Sequence, residues 1–128
     1  MAKARQNLEA ADAELQAGRN DVSASRSYYA AFHAAIAALL GAGIRPMGRG
    51  SPRWKHDFVR SRFEGLLVHR QHRYGPEFRQ ALSELSGLRL HADYDPTSVR
   101  TRDAARALRL PRALVGAVEQ GMRGENRP

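Results

Sequence analysis

The chain reads as an all-α protein, five helices with no strand packed as a bundle. Three observations predict it. Apolar residues keep a three-and-four spacing along most of the 128 residues, which lines one face of a helix. Glycine and proline punctuate the chain between those periodic stretches. One stretch, with Ala30, Ala31, Ala34, Ala35, Ala37 and Ala38 around an apolar stripe, offers the small faces that let neighbouring helices come close, as in the central helix of a bundle.

The first helix is expected over about Ala2 to Ala17, with Leu8, Ala11 and Leu15 inward and Gly18 as its stop. Asp21 or Ser23 then caps a second helix reaching about Ala42, with Val22, Tyr29, Phe32, Ile36, Leu39 and Leu40 as its stripe. Gly41, Gly43, Pro46, Gly48, Gly50 and Pro52 mark a long basic loop at about 42–53. A third helix spans about Trp54 to Arg70 and buries Phe58, Phe63, Leu66 and Leu67. Pro76, favoured in a first turn, opens a fourth to about Ala92, with Phe78, Leu82, Leu85 and Leu88 inward. Asp95-Pro96-Thr97 breaks the chain, and Thr97 or Ser98 caps a fifth helix to about Met122, which Pro111 kinks or splits. Val99, Leu108, Leu114, Val118 and Met122 are its inward positions, and the tail at 123–128 frays. The whole, 1–128, reads as one domain.

Composition narrows the function classes. With no cysteine there is neither a disulfide framework nor a thiolate site. The charged N-terminal residues do not make a signal peptide, and the longest apolar run, Ala34 to Leu40, is too short for a bilayer, so a cytoplasmic location away from membranes is expected. The net charge of +8 is local. Residues 1–44 balance to zero, 45–73 carry eight basic residues against two acids, and the remainder carries nine against seven. A basic middle suits an anionic partner such as RNA or a nucleotide, and equally a solvated face. No glycine-rich phosphate loop, nucleophile elbow or paired-carboxylate site is present, and no cofactor is expected.

Two segments hold the candidate chemistry. Arg89, His91, Asp93 and Tyr94 crowd the end of the fourth helix; Arg89 and Asp93 share a face at i, i+4, while His91 points elsewhere. Arginine is a fixed cation suited to phosphate, and histidine exchanges protons near neutral pH. On the second helix Arg26, Tyr29 and His33 form a ridge, either a phosphate or orienting site or a half-buried bundle seam. His56 is either a phosphate contact or a helix-start residue, and Trp54 beside it either stacks on a base or packs in the core. His69 and His72 have the spacing of metal ligands, but the flanking Arg70 and Arg73 oppose a cation, so no metal site is expected.

The segments Arg26-Ser-Tyr-Tyr-Ala-Ala-Phe-His-Ala-Ala and Arg89-Leu-His-Ala-Asp-Tyr-Asp-Pro, about sixty residues apart, together resemble the HEPN domain, in its short stand-alone prokaryotic subgroup. The resemblance implies an antiparallel bundle of four or five helices, a homodimer, and in many members a metal-independent endoribonuclease. Several members act as toxins beside a minimal nucleotidyltransferase antitoxin. The ribonuclease motif pairs an Arg with a His four to six residues on. Arg89 matches the first, Tyr94 stands where the second is expected, and the segment follows the Arg-x-x-Ala-Asp-Tyr variant. On this pattern Arg89 takes the phosphate, His91 carries protons, Asp93 holds Arg89 and Tyr94 orients RNA, with Arg26, Tyr29, His33 and His56 in support. The competing reading is an inactive helical module that binds a protein partner, a nucleotide or RNA.

Overall fold

A computed structural model of the chain describes residues 1–46 and 53–125, and among these no strand occurs. Most of the expected 42–53 loop and the end of the 123–128 tail lie outside the described residues. Helix α1 spans Ala2–Gln16 and α2 spans Asn20–Gly41. A third helical segment begins with α3, His56–Arg60, and continues unbroken as a π-helical stretch over Ser61–Arg70. A 3₁₀ turn at Pro76–Phe78 precedes α4, Ala81–Tyr94, and α5 runs over Thr101–Glu125.

The α1–α2 turn shows how the sequence sets the architecture. Gly18 adopts a left-handed conformation (φ +79°). Its N–H donates to the Leu15 carbonyl, and the Arg19 N–H donates to that of Glu14, which satisfies the carbonyls the helix end leaves open. The chain reverses within three residues, so α1 and α2 form an antiparallel pair. Gly43 (φ +80°) ends α2 in the same way, with the Ile44 N–H donating to Leu39.

Helix α2 is the central element, packed against α1, α3, α4 and α5. Ala24, Ala30, Ala31, Ala34, Ala35 and Ala38 are all buried along it, which explains why one helix can sit inside four neighbours. Ion pairs fix the directions. Arg5 pairs with Glu119 and Asp12 with Arg112, so α1 and α5 run antiparallel. Asn20 Nδ2 donates to Thr101 Oγ1 (2.9 Å) and to the Val99 carbonyl (3.1 Å), which places the starts of α2 and α5 together. Phe63, Leu39, Leu67, Leu82, Leu108 and Leu114 fill the core between them.

Several expectations are corrected. Asp21 and Ser23 do not cap α2: Asp21 accepts the Val99 N–H (2.7 Å) and Ser23 donates to the Ala11 carbonyl (2.7 Å), so both tie helices together instead. The third helix starts at His56 rather than Trp54. From Ser61 it widens into the π-helical stretch, whose buried residues are Phe63, Leu67 and Val68. Pro76 opens a 3₁₀ turn rather than the helix proper, and α4 continues to Tyr94. Helix α5 begins at Thr101, after the expected caps, and is not split at the buried Pro111, which lies inside the one helix. Val22, Leu40 and Met122, expected inward, are exposed, and helix extends through Arg123 and Gly124 of the expected frayed tail. No described helix is long and apolar enough to cross a membrane.

Candidate functional site

The polar end of α4 divides into two faces. Arg89 turns toward α2, where its guanidinium carbon lies over the Tyr28 ring at 5.2 Å and the Tyr29 ring at 5.9 Å. Its Nη1 donates to Asp93 Oδ2 at 3.2 Å, one turn along the same helix. The side chain keeps 19% of its exposure. Buried Nε has no hydrogen-bond partner among the described residues. Two aromatic rings and one carboxylate therefore hold the cation, and part of its hydrogen-bonding capacity is unused.

His56, at the start of α3, completes this face. Its Nδ1 is hydrogen-bonded to the Tyr28 hydroxyl. The ring stacks on Phe32 at 4.5 Å and 17°, and meets Tyr29 nearly edge-on at 6.2 Å. Partial burial, and next the Arg89 charge, hold the imidazole below the usual histidine range, while Asp57 works the other way. Burial pushes the Tyr28 phenol up to about 12, with Arg89 opposing, so it stays protonated at neutral pH.

Rotating two residues along α4 moves a side chain by roughly 200°, so His91 faces away from Arg89. His91 Nε2 lies 3.0 Å from the Thr97 carbonyl, which can only accept, so this nitrogen carries its proton and donates it. Its Nδ1 lies 3.8 Å from Asp95 Oδ2, and Asp95 Oδ1 accepts the Thr97 N–H at 2.8 Å. His91 and Asp95 thus close the end of α4 and line a separate groove of about 640 Å³ with Glu84, Thr97 and Asp103. Within one chain His91 is not brought to Arg89. Tyr94 remains on the Arg89–Asp93 end of the helix but is 79% exposed.

The α2 ridge also divides. Tyr29 joins the Arg89 cluster. Arg26 instead donates to Asn7 Oδ1 (3.3 Å) and braces α1, while His33 lies edge-on to Phe32 at 5.6 Å in a pocket with Lys3 and Trp54. Burial, then the Lys3 charge, lowers the His33 pKa. Trp54 packs on Phe58 at the core margin, where Arg62 lies over the Phe58 ring. His69 and His72 are exposed, and no group of three His, Cys, Asp or Glu among the described residues is placed to hold a metal ion.

The residue the sequence reading passed over is Tyr28, 3% exposed and in contact with Arg89, His56, Tyr29 and Phe32. Its i, i+4 relation to Phe32 was the available signal, since it marks an aromatic pair on one helix face. The partner that makes Tyr28 polar in function, His56, lies across the loop and leaves no spacing to read.

Comparison with known proteins places this arrangement. A family model for the HEPN domain matches residues 1–121, nearly the whole chain. No curated protein matches it. The chain belongs to the HEPN domain family.

Proposed function

We propose that this HEPN-domain protein is an endoribonuclease that needs no metal ion. It acts as a homodimer within a toxin–antitoxin or related defence module whose other component is a minimal nucleotidyltransferase. The observation that supports this reading most is the setting of Arg89. A guanidinium stays charged at every relevant pH and offers a planar fork to a phosphate. Fixed over Tyr28 and Tyr29, it has little freedom left to lose when a phosphate arrives, and it meets the charge that builds on phosphorus during attack. Asp93 restrains the fork, and Tyr94, 79% exposed at the end of the same helix, is left free to meet RNA.

Purified protein incubated with single-stranded RNA in EDTA tests the reading. Wild type is expected to cleave, and Arg89→Ala to be slower by about 100-fold, the scale of losing one preorganised charge donor. Equal cleavage by the two proteins would sink the proposal.

One observation favours a second reading, an interaction module without chemistry. Leu90 is 46% exposed and Tyr94 79% exposed one turn apart on α4, which leaves an apolar and an aromatic side chain free for a partner. In that case RNA stays intact with both proteins. Leu90→Ser/Tyr94→Ser then loses co-purification of the product of an adjacent reading frame bearing Gly-Ser and paired Asp residues. Retained co-purification by the double variant removes this surface from consideration.

A further inference from the structure

Resting on the ribonuclease reading, we propose that His56 is the catalytic proton acceptor of this site and that Tyr28 is the residue that positions it. Neither belongs to the Arg89–Tyr94 segment, and they come together only through folding.

Four observations converge. The Tyr28 ring lies between the Arg89 cation and the His56 imidazole, 5.2 Å from the guanidinium carbon and 5.5 Å from the imidazole ring centre. The His56 ring is pinned by the Phe32 stack and the Tyr28 hydroxyl. Nδ1 is engaged, whereas among the described residues nothing engages Nε2, and His56 is exposed enough for substrate to reach it. Finally, His91, the histidine nearest Arg89 in sequence, has committed its Nε2 proton to the Thr97 carbonyl on the far face.

The chemistry follows from what a phenol can do. In the catalytic tautomer the Tyr28 hydroxyl oxygen accepts a hydrogen bond from Nδ1–H, and that tautomer leaves the Nε2 lone pair free to take a proton. The ribose 2′-hydroxyl gives that proton to Nε2 as its oxygen bonds to phosphorus, and the bond from phosphorus to the 5′-oxygen breaks. Water protonates the departing 5′-oxygen, and the imidazolium returns its proton to solvent. The products are a 2′,3′-cyclic phosphate and a 5′-hydroxyl. Throughout, Nδ1–H keeps donating to Tyr28, which holds one tautomer and supports the imidazolium. The titratable and charged groups that face His56 are Arg89 from α4, Tyr28 and Tyr29 from α2, and Asp57 beside it on α3; burial and then the Arg89 charge lower its pKa, and Asp57 opposes them.

The test uses the full chain and a single-stranded RNA in EDTA, with binding followed by fluorescence anisotropy and folding by circular dichroism. Wild type should show cleavage that rises with pH along one acid limb as the imidazole loses its proton. His56→Gln, an exposed change at a helix start, should keep fold and RNA binding, lose about 100-fold or more in rate, and lose the limb. Added imidazole should restore part of the rate of His56→Ala. Tyr28→Phe keeps the ring, and should cost about tenfold and move the limb to lower pH, because the imidazolium loses its acceptor. A purely structural role for Tyr28 would leave the limb in place and overturn its assignment. If His56→Gln cleaves at the wild-type rate with the limb intact, this inference falls and the ribonuclease reading stands. If wild type cleaves no RNA, both fall.

Discussion

Arg89 and His91 sit two residues apart on one helix and do opposite work. Arg89 is drawn into the protein, over two tyrosines, with its buried Nε without a partner among the described residues. His91 is drawn to the helix end, where it and Asp95 tie down the Asp95–Thr97 turn. On the His91 face, His91 Nε2 and Asp95 Oδ1 are both spent on the Thr97 backbone. The Arg89 face keeps spare capacity, and a buried polar atom without a partner is costly unless something binds it. That contrast teaches that density of polar residues in a sequence does not locate a site. Among the described residues Asn20 Oδ1 and Ser27 Oγ are also buried without a partner, and Arg89 Nε differs from them in belonging to a cation held over two aromatic rings.

The largest expected effect on this contrast comes from paired substitutions. Arg89→Lys keeps the charge but loses the planar fork and its stacking on Tyr28 and Tyr29, so RNA cleavage in EDTA should fall by about 10- to 100-fold. His91→Gln, which retains a donor for the Thr97 carbonyl, should stay within about threefold of wild type. If the two losses were equal, or reversed in size, the division of α4 into a chemical face and a structural face would be wrong. A dimer that carries His91 of one subunit to Arg89 of the other would produce that reversal.

Much of this arrangement was legible before folding, and what was not has a physical reason. Periodicity located all five helical segments because burial imposes it on each helix separately. It also placed Arg89 and Asp93 on one face, since an i, i+4 relation is local. The caps failed because Asp21 and Ser23 bond to Val99 and Ala11, across the bundle rather than within their own helix. The π-helical stretch was missed because Phe63, Leu67 and Val68 fit a helical stripe at either width, so their spacing does not choose between them. The candidate site depends most on distance in sequence. His56 meets Tyr28 across twenty-eight residues, and Arg89 reaches Tyr28 from α4. Residue types made the parts visible, while only the bundle chose Tyr28 over Arg26 and His33 as their companion.

The smallest effect, and the one that probes the Arg89 face without RNA, is the pH dependence of stability. His56 and His33 both have pKa values below the ordinary 6.5 in the folded protein. The unfolded chain therefore binds protons more readily than the folded one from about pH 6.5 downward. Stability is greatest above that value, and it declines as pH falls through the window down to the folded pKa values. Melting followed between pH 5 and 7.5 should show this decline in wild type. His56→Gln should flatten the decline in part and leave the share due to His33. Arg89→Gln should also flatten it, because the arginine charge is one of the causes that lower His56. An unchanged slope in both variants would mean that Arg89 and His56 do not sense one another, and the face would then be two neighbouring residues rather than one electrostatic unit.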